Sequence, residues 1–183
     1  MLAYELSVLN HIGDFVADAA GLAGLEALQF RAATASGAAA LRVASLAVAC
    51  GEVELAMAAG VELMSSGPSA THALTLALDA DKEIPHGLTM VHANAMLMNR
   101  YLKQYDVPYE GFANFAVNAH RNGATNPNAL FQKEIDAETA LNSRVVSPPL
   151  RLFDCSPICD GAAAAIVCPA DKAHTFTDRP VMI

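Results

Sequence analysis

Charge is scarce in this chain, and basic charge is scarcer still. Only 16% of its residues are charged, and 11 Lys and Arg stand against 19 Asp and Glu for a formal net charge of −8. Lys and Arg nowhere cluster, which excludes a nucleic-acid partner, because backbone phosphates demand such a cluster. No window reaches the ~18 to 20 consecutive apolar residues, free of glycine and charge, that a membrane-crossing helix needs. Met1 to Phe15 has neither a basic n-region nor a continuous apolar segment, so no signal peptide is expected and the expected compartment is the cytoplasm. Cysteine is limited to Cys50, Cys155, Cys159 and Cys168, and without secretion these are expected to stay reduced. Pro157 breaks any helix between Cys155 and Cys159, and no second cysteine pair or paired histidine stands nearby, so no metal site is expected. Paired carboxylates at catalytic spacing, a Ser-His-Asp order and a glycine-rich phosphate loop are also missing; Gly21 to Gly24 lacks the strand, turn and helix around it that a dinucleotide fingerprint requires.

What the chain has in quantity is apolar surface. Hydrophobic residues make up 54% of its 183 positions, enough for one domain with a good core, and so little charge implies a surface covered by a partner. The organising stretch is Leu25 to Met64. It reads as a strand over Leu25 to Ala32, a turn at Ala33-Thr34-Ala35-Ser36-Gly37, a helix to Cys50 and a strand over Val53 to Met64. Only Arg42 and Ser45 interrupt the Ala, Leu and Val of the helix, which predicts a core helix covered on every face. Ser36 is the expected N-cap and Gly51 the expected C′ residue at positive φ.

ATASGAAALRVASLAVACGEVELAMAAGVELM, from Ala33 to Met64, resembles the nucleophile segment of thiolases. SPICDGAAAAIV, from Ser156 to Val167, resembles the family's later Asp-Gly-Ala-Ala-Ala strand, and LNSRVVSPPLRLFDCSPICDGAA is most similar to the sterol-carrier-protein type. The resemblance implies an α/β fold: a thiolase-like layered core, here a partial first half with a sheet and a buried central helix, carrying a mostly helical loop-domain insertion. The implied divisions are a core over residues 1–66, a loop domain over the active site at 67–150, and a return to the core sheet with the start of a second half at 151–183. Thr34 stands where the family has its acyl-accepting cysteine. A thiol has a pKa of about 8.5 that a helix N-terminus lowers further, and a threonine hydroxyl offers no thiolate; the alternative role for Thr34 is to cap or bond the turn.

In chain order, Met1 to Gly21 reads as two short helical pieces broken at Gly13, with Asp14 capping the second. The family's opening strand and helix are expected to be absent. SSGPS, after Met64, is a loop by composition. Met90 to Gln104 is the clearest helix, and Tyr109 to Arg121 the next, with Pro108 at its N1 position. The resemblance places His86, Met90 and His92 near a pantetheine or acyl channel, against ordinary surface and packing roles for each. Pro148 and Pro149 close the insertion, and Leu150 to Phe153 and Ala162 to Val167 are expected to rejoin the core sheet, with Asp160-Gly161 as a turn and the second strand buried on both faces. Ser156 matches the family's serine that meets the pantetheine arm; its other role is a turn hydroxyl.

The resemblance implies acyl-CoA as substrate, with no tightly bound cofactor, and a homodimer or a hetero-oligomer with a chain supplying the second thiolase half, which carries the acid/base cysteine and histidine. Three functions stay open. One is a thiolase-type acyl-CoA acyltransferase subunit of the acetyl-CoA acetyltransferase kind. Another is a cysteine-less, thiolase-like aldolase or lyase acting on acyl-CoA with an OB-fold partner, and the third is a non-catalytic scaffold.

Overall fold

The computed structural model describes residues 11–66 and 69–183. The first helical piece expected near the N-terminus, and Gly67 and Pro68 of the SSGPS loop, lie outside the described residues. The chain divides into two compact units, one from residues 1–67 and 160–183, the other from residues 68–159.

The first unit is a helix on a two-stranded antiparallel sheet. Helix α1 spans Ile12–Ala19, helix α2 Ser36–Ala49, strand β1 Ala56–Leu63 and strand β4 Asp160–Val167. The ladder runs without slip from Ala56 opposite Val167 to Leu63 opposite Asp160. Ala44 of α2 is buried against Ala58 and Val167, with Ala40, Leu41, Val48 and Ala56 around them. Alanine at these contacts lets the helix backbone approach the sheet closely, and the core is correspondingly thin: no large side chain among the described residues is fully buried.

Helix α2 ends as its sequence dictates. Gly51 takes φ 78°, its amide bonds Val48 O and the next amide, of Glu52, reaches back to Ala47 O, which closes a Schellman motif. Its flanks depart from expectation. Gly37, Ala38, Arg42, Leu46 and Ala49, all exposed, recur at helical spacing along one side, with Leu46 56% exposed. The helix is therefore covered on its sheet side only, because no described segment packs on the other. The same correction applies to β4, of which only Val167 is buried, and to the outer face of the ladder, where Met57 and Ile166 are paired and exposed.

Three further expectations fail for local reasons. Leu25 to Ala32 forms no ladder, since a strand needs a neighbour and no described segment offers one; Gln29 instead accepts the amide of Ile12 at 3.1 Å. Asp14 lies in the first turn of α1 rather than at its cap, which is His11. Asp160-Gly161 is not a turn but the opening of β4, paired with Leu63 and Glu62, and the Asp160 carboxylate accepts both the amide and the hydroxyl of Ser65.

The second unit is mostly helical. It holds α3 (Ala70–Thr75), α4 (Met90–Tyr105), α5 (Ala113–Ala124), α6 (Ala137–Leu141) and a hairpin of β2 (Val145–Ser147) with β3 (Leu150–Arg151). Ser69, Thr89 and Asp136 cap α3, α4 and α6, each accepting the amide three residues on. Pro108 precedes a 3-10 turn, Tyr109–Phe112, and α5 follows it, so Pro108 is not an N1 residue of that helix. Leu150–Arg151 pairs with β2 around the cis Pro148-Pro149 peptide and does not rejoin the core sheet. Ala113, Ala116 and Ala140 are the buried centre, flanked by Ile135, Leu141 and Phe153.

Candidate functional site

The turn ahead of α2 is wound by one hydroxyl. Ser36 Oγ accepts the amide of Ala32 at 2.9 Å and donates to Ala33 O at 2.7 Å, while the amide of Ala35 bonds Ala32 O at 2.9 Å. Ser36 is thus the first helical residue and ties the turn from inside, whereas Ala35 occupies the N-cap position that Ser36 was expected to take. Ala33 is held at φ 48°, a left-handed conformation that costs a residue with a Cβ ~1 to 2 kcal/mol. Strain of that kind is retained where the surroundings over-determine it. It sits immediately before Thr34, which is exposed. Beyond Thr34 the amides of Gly37 and Ala38 have no hydrogen-bond partner among the described residues, as the first turn of a helix leaves them. A hydroxyl and two free amides at the positive end of a helix can polarise a carbonyl oxygen or hold an anion.

The other expected residues lie in the second unit. Met90 and His92, at the start of α4, help line a cavity of about 180 Å³ together with Thr71, Leu74, Thr89, Val146 and Ser147. Thr89 does two jobs there: its hydroxyl accepts the His92 amide at 3.4 Å and lies 3.1 Å from His92 Nδ1. With the hydroxyl donating to Nδ1, the neutral ring carries its proton on Nε2. The walls are apolar through Leu74, Met90 and Val146 and polar through Thr71, Thr89 and Ser147, a mixture suited to an acyl chain carrying amide or thioester groups. His86 ends a 3-10 turn before Gly87 and does not line this cavity. Ser156 is exposed in the loop between the last 3-10 turn of the unit and β4. The local signal for the missed wall residues was Thr89 three residues before His92; Thr71 and Val146 are too distant in sequence to signal anything.

Two groups near that loop are electrostatically shifted. Partial burial, then the neighbouring Asp154 charge, raises the Cys155 thiol. Partial burial, then the hydrogen bond to Asp154, raises the Tyr109 hydroxyl. Neither is activated: a raised thiol is a poorer nucleophile at neutral pH. Among the described residues no group of three His, Cys, Asp or Glu side chains could hold a metal ion, and no helix is long and apolar enough to cross a membrane.

An antiparallel ladder under an alanine-rich helix, with a strained turn presenting a hydroxyl at that helix's N-terminus, makes the first unit an α/β arrangement. Residues 15–171 match the family described as thiolase, N-terminal domain, and the chain belongs to the thiolase family through that domain. It is 42% identical over 174 residues to an acetyl-CoA acetyltransferase of Methanothermobacter thermautotrophicus, a match covering 95% of this chain and 45% of that protein. An acetyl-CoA acetyltransferase of Methanocaldococcus jannaschii is 39% identical, with 95% of this chain and 44% of the relative covered. A solved chain of the Ltp2-ChsH2(DUF35) aldolase superposes with a TM-score of 0.71 at 29% identity, covering 87% of this chain and 42% of that one. The chain therefore spans less than half the length of these relatives.

Proposed function

We propose that this chain is the half of a thiolase-type acyl-CoA acyltransferase, of the acetyl-CoA acetyltransferase kind, that presents the nucleophile position, held here by Thr34, and that turnover needs a complementary half. The observation that carries the reading is the turn at Ala33-Thr34, strained and exposed before the free amides of Gly37 and Ala38. Those amides are suited to an oxyanion or enolate oxygen as charge develops on it. The cavity beside Met90 and His92 is suited to the tail of a coenzyme A thioester, which is substrate and not a resident cofactor; His86 and Ser156 are the outer contacts proposed for that tail. A base for the α-proton and an activator for a nucleophile are not among these groups. They are proposed to come from the portion of the relatives' length that this chain does not span, in a homodimer or hetero-oligomer. Four free cysteines suit a reducing compartment such as the cytoplasm.

A second reading is favoured by Thr34 itself. Retro-aldol cleavage of a carbon–carbon bond needs no acyl-enzyme, so a threonine there is no obstacle, and similarity to the Ltp2-ChsH2(DUF35) aldolase points the same way. In that reading the chain acts as a lyase on acyl-CoA beside an OB-fold partner.

Isothermal titration of the chain with coenzyme A and acetyl-CoA, alone and after co-expression with candidate complementary halves, tests both. Saturable binding, with thiolysis appearing only in the co-expressed complex, is the expected result. Binding with aldol cleavage and no thiolysis selects the lyase. A folded complex blind to coenzyme A would leave a scaffold and sink both catalytic readings.

A further inference from the structure

The second unit holds another cavity, of about 360 Å³, that the proposed reaction does not use. Leu97, Tyr101, Phe112 and Leu150 wall it, and Asn94 and Asp154 supply its polar atoms. Tyr101 and Phe112 meet edge to face with ring centroids 5.9 Å apart, and Tyr105 continues the row at 4.8 Å from Tyr101. Leu97, Tyr101 and Tyr105 recur every fourth residue on α4 and are all exposed, so they form one stripe.

The polar atoms are distributed unevenly. Asp154 carries the only charge in the cavity wall, and its Oδ2 already accepts the Tyr109 hydroxyl and the Arg151 amide. Its Oδ1 has no partner among the described residues. Asn94 donates through Nδ2 to Met90 O at 2.8 Å, and its oxygen has no partner among the described residues, a second open acceptor. The nearby Arg151 guanidinium donates one N–H to Ser143 O at 2.8 Å and does not line the cavity. Two open acceptors, one of them anionic, beside two aromatic rings are complementary to a cation that carries N–H donors. Ring faces attract a cation within ~6 Å, and a carboxylate strengthens hydrogen bonds from it. A guanidinium answers both demands at once, because it is planar for stacking and forked for a carboxylate.

We propose that this cavity is the docking site for an arginine side chain presented by a partner protein. The apolar rim argues for a protein over a free amine, since Leu97 and Tyr105 stay wet unless residues flanking the arginine cover them. Tyrosine and arginine are also the side chains that anchor protein interfaces. The chain's net charge of −8 adds long-range attraction for a basic partner surface.

The test uses the full chain and a blocked peptide with arginine between two leucines, followed by two-dimensional NMR. A matched peptide carries citrulline, the neutral isostere of arginine. The arginine peptide is expected to give saturable shifts at Leu97, Tyr101 and Phe112, with affinity at least about tenfold above that of the citrulline peptide. Tyr101→Leu is expected to weaken the arginine peptide by a comparable factor, with the melting temperature measured alongside to separate binding from folding. Equal affinity for the two peptides, shifts centred elsewhere, or no binding of the arginine peptide at millimolar concentration overturns the proposal. So does free arginine amide binding as tightly as the peptide, because the flanking residues would then contribute nothing.

Discussion

A Cβ placed on Gly123 would lie 2.8 Å from the carbonyl oxygen of Phe131. The last turn of α5 carries a glycine because the returning loop crosses it there, and no side chain fits between the two backbones. His120, one turn earlier, fastens the same crossing: its ring bonds Lys133 O through Nδ1 at 2.9 Å, stacks on Phe131 and meets Phe153 edge-on. Gly123→Ala gains ~1 kcal/mol of helix propensity but must displace a carbonyl, an overpacking cost of ~1 to 3 kcal/mol. The expected outcome is a lower urea midpoint for unfolding. A raised midpoint would show that the loop yields freely.

Two other glycines separate backbone strain from space. Neither Gly51 nor Gly37 has any atom within 4 Å of a built Cβ, but Gly51 sits at φ 78°. Gly51→Ala is expected to lose ~1 to 2 kcal/mol, and Gly37→Ala, in the first turn of α2, to be neutral or to gain up to ~1 kcal/mol. Thermal unfolding of the two variants side by side checks the opposite signs.

The ladder's far end predicts a pH dependence. The Ser65 hydroxyl and then its amide hold the Asp160 carboxyl below the ordinary 3.8. A folded-state value below the unfolded one stabilises the fold fully above pH 3.8, and the contribution disappears as pH falls from there through the lowered value. Asp136, lowered by the Thr139 side chain and amide, adds in the same window and the same direction. Asp160→Asn is expected to flatten stability against pH below 3.8 while changing little of its slope between pH 6 and 8. An unchanged acid limb would remove Asp160 from the account.

Legibility followed range. The Gly51 stop of α2 was readable because a positive-φ glycine acts within a turn of itself, and α4 was the clearest helix of the sequence, though its cap, Thr89, was not read. Leu25 to Ala32 has strand composition and still makes no strand, because pairing is a property of the neighbour. Leu150–Arg151 joined the nearer β2 through the Pro148-Pro149 turn, where composition alone suggested the core sheet. Thr34, Met90 and His92 were expected from a family pattern; Thr34 lies exposed after the strained Ala33, and Met90 and His92 line one cavity. The walls that make a cavity beside His92 come from Thr71 and Val146, which only folding brings together.

The same helix offers an internal comparison for reactivity. Thr34→Cys places a thiol ahead of the N-terminus of α2, whereas Cys50 is exposed at its C-terminus. The dipole lowers the pKa of the first thiol. Iodoacetamide at pH 7 should alkylate the introduced thiol several-fold faster, roughly what a shift of half a unit or more gives. Peptide mapping by mass spectrometry reads both sites in one sample. Equal rates would mean that the turn does not focus the helix field on position 34.

The excursion from residue 68 to residue 159 leaves and re-joins at the last rung of one ladder, the Leu63 and Asp160 pair, with Ser65 buttoned to Asp160 across the gap. A segment inserted at such a point can be lengthened, shortened or exchanged between relatives while the registration of β1 on β4 stays as it is. Evolution can then revise the cavity-bearing part of the chain for a new clientele without disturbing the turn that presents Thr34.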